Sequence, residues 1–169
     1  MKVTSAQAAK LLRGLTGELN DLLKLENKAC TFVAAVGEDP ESVRPAYSFE
    51  ETRENERILE EKIRRIKHSI NVFNTTTKVP GFDITIDEVL VCLPQLSAEI
   101  SRLAVLKAAL PKERVESYGR TSVGLIDYRY ANYDIAAAER EYLTAADTLA
   151  RLQLALDTVN NTVEFDIYI

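Results

Sequence analysis

Histidine is almost missing from this chain: His68 is the only one among 169 residues. That excludes the carboxylate-bridged di-metal site of helical bundles, which needs Glu-x-x-His on two helices and a further inward Glu on the others. Arg65 stands where the glutamate before His68 would have to be. No metal set and no cofactor are expected, and His68 itself reads as a surface residue near the end of a helix. Cysteine is scarce too. Cys30 follows Ala29 and precedes Phe32, Cys92 lies between Leu90 and Leu93, and both fall inside apolar helical patterns. They are expected as free core thiols with no base to activate them, a disulfide between them being the alternative. Gly119 and Gly124 are five apart but lack the Gly-Lys-Ser/Thr ending of a phosphate-cradling loop. Basic residues are outnumbered 21 to 26, for a formal charge of −5, so no nucleic acid partner is expected, because that binding rests on concentrated Lys and Arg. No apolar run approaches the ~18 residues that span a bilayer, and the opening M-K-V-T-S-A-Q-A-A-K has no apolar signal core. The expectation is a cytoplasmic protein with no membrane partner and no catalytic residues.

What the chain has in abundance is heptad-like apolar spacing. The first helix is expected from Thr4, which forms a capping box with Gln7, along Leu12, Leu15, Leu19, Leu22, Ala29 and Val33, to a stop near Gly37. The second runs from Ser48 or Phe49 to Asn74 on Leu59, Ile63, Ile66, Ile70 and Phe73. Its early turns carry Glu50, Glu51, Glu54 and Glu56 and its later turns Lys62, Arg64, Arg65 and Lys67, a solvated face matched to the helix dipole. Thr85 and Glu88 form a second capping box and open a third helix through Leu93, Leu96, Ile100 and Leu103, ended by Pro111. Residues 112–124 read as an irregular connection, and Leu125 to Tyr130 as an extra strand. A fourth helix runs from Tyr133 or Asp134 to Asn160 on Tyr142, Ala145, Leu149, Leu152, Leu156 and Val159.

Two stretches echo each other: Asn74 to Ile86, N-T-T-T-K-V-P-G-F-D-I-T-I, and Asn160 to Ile169, N-N-T-V-E-F-D-I-Y-I. A shift of 81 carries Thr4 onto Thr85 and Leu12, Leu15 and Leu22 onto Leu93, Leu96 and Leu103. A shift of 86 carries Tyr47 onto Tyr133, Ile66 onto Leu152, Phe73 onto Val159 and Asn74 onto Asn160. The expected architecture is therefore mainly α: a single domain over 1–169, made of internal repeats of approximately 1–81 and 82–169. Each repeat is a short strand followed by a long antiparallel αα-hairpin, and the two hairpins pack as a coiled-coil-like four-helix bundle. Phe82 to Ile86 and Phe165 to Ile169 are expected as short β-strands in a small sheet at one end. Since isolated strand pairs are marginal and open edges invite pairing, a homo-oligomer is expected.

The polar residues that stand out are Tyr128, Tyr130, Asn132, Tyr133 and Asp134, with Asn71, Asn74, Asn160 and Asn161. Capping and turn formation account for Asn and Asp in such places, with tyrosines packing under the loop. The competing reading is a small-molecule ligand site, of unknown ligand, assembled between subunits around 112–134 with Arg120, Tyr130, Asn132 and Asp134 as its candidate residues.

The segments R-R-I-K-H-S-I-N-V-F-N-T-T-T, D-Y-R-Y-A-N-Y-D-I and L-Q-L-A-L-D-T-V-N-N-T-V-E-F resemble an uncharacterised bacterial family, some of whose members are labelled septicolysin-like. The resemblance covers most of the chain from Ile63 onward and, loosely, the opening helix. It implies a haemolysin or pore-forming toxin and brings no active-site residues with it.

Overall fold

The computed structural model describes residues 1–115 and 127–169. In chain order these form β1 (Lys2–Thr4), α1 (Ser5–Ala29), α2 (Pro40–Val43), α3 (Phe49–Thr76), α4 (Ile86–Lys107), β2 (Lys112–Val115), β3 (Asp127–Tyr130), α5 (Ile135–Thr162) and β4 (Glu164–Asp166). The fold is mainly helical with short antiparallel strands. Both expected capping boxes are present. The Thr4 side chain accepts from the Gln7 amide while the Gln7 side chain accepts from the Thr4 amide, and Thr85 and Glu88 do the same. In each case two amide groups that the first helical turn leaves without partners are satisfied reciprocally.

Two compact units emerge, Met1–Thr77 with Asp157–Ile169, and Lys78–Leu156. In the first, α1 and α3 pack antiparallel. Val3, Ala8, Ile66 and Ile167 form a buried cluster, against which Leu11, Leu12, Leu15, Ile70 and Phe165 pack. β4 closes this end by pairing with β1, Lys2 opposite Asp166 and Thr4 opposite Glu164. The ladder continues one step, Met1 N donating to the Ile167 carbonyl at 2.7 Å and Ile167 N to the Met1 carbonyl at 2.9 Å. Along the tail side chains alternate from Glu164 to Tyr168, with Ile167 fully buried, Phe165 partly buried and Glu164, Asp166 and Tyr168 exposed, and the alternation ends at Ile169, which is exposed. Phe165 stacks on Phe73 with centroids 4.4 Å apart. At the far end of the hairpin Tyr47 donates to Glu26 at 2.9 Å, which fastens the start of α3 to the last turn of α1.

In the second unit α4 and α5 also run antiparallel. The Tyr133 hydroxyl, just before α5, donates to the Leu106 carbonyl at 2.8 Å near the end of α4. The Arg151 guanidinium, well along α5, lies 5.8 Å from the Phe82 ring ahead of α4. Val79, Ile86, Val89, Leu103, Ala145 and Leu152 are buried here.

Several sequence expectations are corrected. The first helix stops at Ala29, eight positions before Gly37. Thr31, Phe32 and Val33 are β-branched or aromatic and hold a helix poorly. Phe32 instead lies under the Arg44 guanidinium at 5.3 Å, and Val33 is almost fully exposed. Cys30 consequently caps the helix and is exposed, while Cys92 is half-buried, so Cys30 is no core thiol. Phe82 to Ile86 is not a strand. Among the described residues its only pairing is a single bridge from Thr85 to Lys78 around a tight turn, with Gly81 and Asp83 at positive φ and Val79 N bonded to the Ile84 carbonyl at 2.8 Å. The capping box competed for the same residues and took Ile86 into the helix. Residues 112–115 are not irregular but form β2, paired with β3. Finally, α4 is, by length and composition, long and apolar enough to cross a membrane, with a mean hydropathy of 1.5 over its best window. Counting uninterrupted apolar runs missed this, because Pro94, Gln95, Ser97, Glu99 and Ser101 interrupt a helix that is otherwise strongly apolar.

Candidate functional site

Of the residues expected to carry a ligand, Tyr130 lies on the ribbon of β2 and β3, and Asn132 and Asp134 follow it in the chain. Lys112 stands opposite Tyr130, Glu113 opposite Arg129, Arg114 opposite Tyr128 and Val115 opposite Asp127. Because side chains alternate across a strand and directly opposed residues share a face, the ribbon has two unlike sides. One bears Lys112, Arg114, Tyr128 and Tyr130. The other bears Glu113, Val115, Asp127 and Arg129, with Arg129 and Glu113 3.8 Å apart. On the first side the Lys112 ammonium sits 3.9 Å from the Tyr128 centroid and 5.5 Å from that of Tyr130. The two rings are 6.5 Å apart and tilted by 53°. All four side chains are exposed. A lysine over two tyrosine rings, with Arg114 opposite Tyr128 on the same side, suits a flat or anionic ligand, and these four side chains offer no nucleophile with a base beside it.

The three described candidates do not converge there. Arg120 lies outside the described residues. Tyr130 is on the cationic face. Asn132 is exposed in the turn after β3. Asp134 is occupied structurally, its carboxylate accepting from Ala136 N at 2.9 Å and its carbonyl from Ala138 N at 3.1 Å, so it opens α5, while Arg140 lies 3.5 Å from its other oxygen. Tyr133 is likewise spent on the Leu106 carbonyl. The capping reading thus accounts for Asp134 and Tyr133, and the asparagine Asn161 bonds back to the Asp157 carbonyl at 2.7 Å within its own helix. What sequence reasoning missed is Lys112 and Arg114. The signal was present in the alternation of K-E-R-V against D-Y-R-Y, which puts both cations on the tyrosine side once the two runs are paired.

A second polar cluster sits in the turn before α4. The Lys78 ammonium donates to Asp83, and Glu88 accepts from both the amide and the hydroxyl of Thr85, at 2.7 and 2.8 Å. The hydrogen bond from Lys78 holds the Asp83 carboxyl below its ordinary range and raises Lys78 in return. Glu88 is lowered by its bond from the Thr85 amide. Tyr47 is raised by desolvation and then by its bond to Glu26. Each of these shifts is accounted for by a turn, a cap or a helix-to-helix tie. Among the described residues no three His, Cys, Asp or Glu side chains gather where they would hold a metal ion.

No protein-family profile and no curated protein matches this chain. Its fold is similar to the crystal structure of a functionally unknown conserved protein from Corynebacterium diphtheriae, with a TM-score of 0.58 at 16% identity over 98% of this chain and 100% of that one.

Proposed function

We propose that this chain is a non-enzymatic structural protein that acts by assembling with copies of itself. The observation that carries the reading is the unfilled apolar stripe of the hairpin formed by α1 and α3.

Leu19, Leu22, Leu59 and Ile63 belong to the apolar stripes of α1 and α3, yet they are only half-buried. A two-helix layer cannot fill its own stripe, and a second layer from another copy completes it as a four-helix bundle. A duplicated β-α-α unit agrees with the strand pairings. The pair Thr4 and Glu164 maps onto the pair Thr85 and Lys78 under the same shifts of 81 and 86 that align the helices. Size-exclusion chromatography with light scattering tests the reading. A mass of at least twice 18.9 kDa at micromolar concentration is expected, and a monomer mass overturns it.

The cationic tyrosine face of the ribbon favours a second reading, a small-ligand site. A nucleoside triphosphate, used as a flat polyanionic probe, then raises the melting temperature, and Tyr130→Ala and Lys112→Ala abolish the rise. No shift with the intact chain removes that reading. The septicolysin-like resemblance supplies a third, for which the apolar α4 is the feature that speaks. Dye release from liposomes tests it, and retention across lipid compositions and pH retires it.

A further inference from the structure

The tyrosine side of the β2–β3 ribbon repeats one pair of side chains. Tyr130 stands opposite Lys112 and, one strand repeat further on, Tyr128 stands opposite Arg114. Glu113 and Asp127, the two acids of the paired strands, point to the other side, where Glu113 meets Arg129 at 3.8 Å. The tyrosine side thus carries two cations and no carboxylate, in a chain whose acids outnumber its bases 26 to 21. Chain-wide charge, which spoke against a nucleic acid partner, is an average that does not describe this side. Both rings are open to a ligand, Tyr128 by 45% and Tyr130 by 61%, and the Lys112 ammonium lies against them.

We infer that this side of the ribbon binds a run of single-stranded nucleic acid, with one base on each tyrosine and one phosphate at each cation. This rests on the small-ligand reading above and names the ligand as a polymer of nucleotides. A ligand that repeats base and phosphate matches a surface that repeats ring and cation, whereas a mononucleotide fills one pair and leaves the other empty. The ring centroids are 6.5 Å apart, while stacked bases follow one another about 3.4 Å apart along a strand. Neighbouring bases must therefore part to reach one ring each. A single strand allows that, and a duplex, whose base faces are stacked and paired inside, does not. Because every base has a π-face, the contact accepts any sequence. On binding, the Lys112 ammonium leaves the rings for a phosphate, and the base takes the ring face that the exposed cation–π contact held. With two phosphates neutralised, the electrostatic share is modest, a slope of about −1.4 in log K against log salt.

Fluorescence anisotropy of a labelled oligothymidylate, titrated with the full chain, tests the inference. The oligonucleotide is expected to bind about 10-fold or more tightly than thymidine triphosphate, since its second nucleotide is tethered to the first. Tyr130→Ala should weaken it about 5- to 150-fold, and Lys112→Ala should flatten the salt slope by about 0.7. Arg129→Gln, on the other side of the ribbon, should leave that slope unchanged. All three positions are exposed, so the variants should keep the wild-type circular dichroism. If thymidine triphosphate stabilises the chain and the oligonucleotide binds no more tightly, the small-ligand reading stands and the polymer is wrong. If neither binds, both fall. A duplex of the same length that competes equally well overturns base stacking and with it the inference. So does an oligonucleotide that Tyr130→Ala and Lys112→Ala hold as tightly as the wild type does.

Discussion

At the scale of single residues the two capping boxes are the most directly testable features. Replacing Thr85 by Ala leaves the first amides of α4 unsatisfied and is expected to cost about 1 kcal/mol, read as a melting temperature lower by about 2–4 °C in a chain of this size. Thr4→Ala should cost a similar amount at α1. Thr144, whose exposed hydroxyl only bonds back to the Arg140 carbonyl, should tolerate alanine within about 0.5 kcal/mol. The same turn sets an acid sensitivity. Asp83 and Glu88 are held below their ordinary values of 3.8 and 4.5, so the unfolded chain takes up protons before the folded one does. Their contribution is complete above the ordinary values and is lost as pH falls through the depressed ones. Lys78, raised above 10.5, behaves oppositely, contributing below that value and losing its contribution as pH rises through the folded one. Melting curves between about pH 5 and 3 should therefore drop less steeply for Glu88→Gln than for the wild type. An equal slope would mean that the cap carboxylate does not titrate with folding. In the core, Ile66 has no exposed surface, and Ile66→Ala should cost about 2–5 kcal/mol. Ile58 on the same helix is 42% exposed and should lose far less within an isolated chain.

At the scale of elements, what could be read from the sequence was whatever a local rule decides. Thr4 with Gln7 and Thr85 with Glu88 announce helix starts because the residues that satisfy the orphan amides are neighbours in the chain. The stripes of α1, α3, α4 and α5 are legible for the same reason. Illegible were the places where two local rules met. Thr31-Phe32-Val33 continues an apolar spacing but lowers helix propensity, and the helix ended there. Phe82-Asp-Ile-Thr-Ile alternates like a strand but contains a cap, and the cap prevailed. The partner of β4 depends on contact between Met1–Thr4 and Glu164–Ile167, a separation that no window along the chain reveals. The candidate site shared this limit: Tyr130 was identified, but Lys112 joins it only through strand pairing. β4 also yields an element-scale prediction. Removing residues 163–169 takes away the buried Ile167 and the Phe165 stack on Phe73, and uncovers Val3 and Ile66. Burial of one large apolar side chain is worth about 1.5–3 kcal/mol, so the truncated chain should lose about 3 kcal/mol or more and become sensitive to protease along α1. A truncated chain as stable as the full one would deny β4 its closing role.

At the scale of the whole molecule the uncovered apolar area links folding to association. If the native state is a dimer built on unfilled stripes, folding and assembly share one equilibrium, and stability must rise with protein concentration. A tenfold increase adds about 1.4 kcal/mol per dimer. For a dimer of two such chains the entropy of unfolding scales with both, so the melting temperature should climb by about 2 °C for each tenfold step. Over a thousandfold range the rise is about 6 °C, readily measured by calorimetry and fluorescence. A charge placed on the unfilled stripe, Leu22→Lys, should flatten this dependence and lower the melting temperature at every concentration, since it weakens association without touching the Val3, Ala8, Ile66 and Ile167 cluster. Ile66→Ala should do the reverse, lowering all the curves while preserving their slope. A wild-type melting temperature that does not move with concentration would mean that each chain folds as it stands, with its stripes half-buried, and would end the case for a self-assembling scaffold.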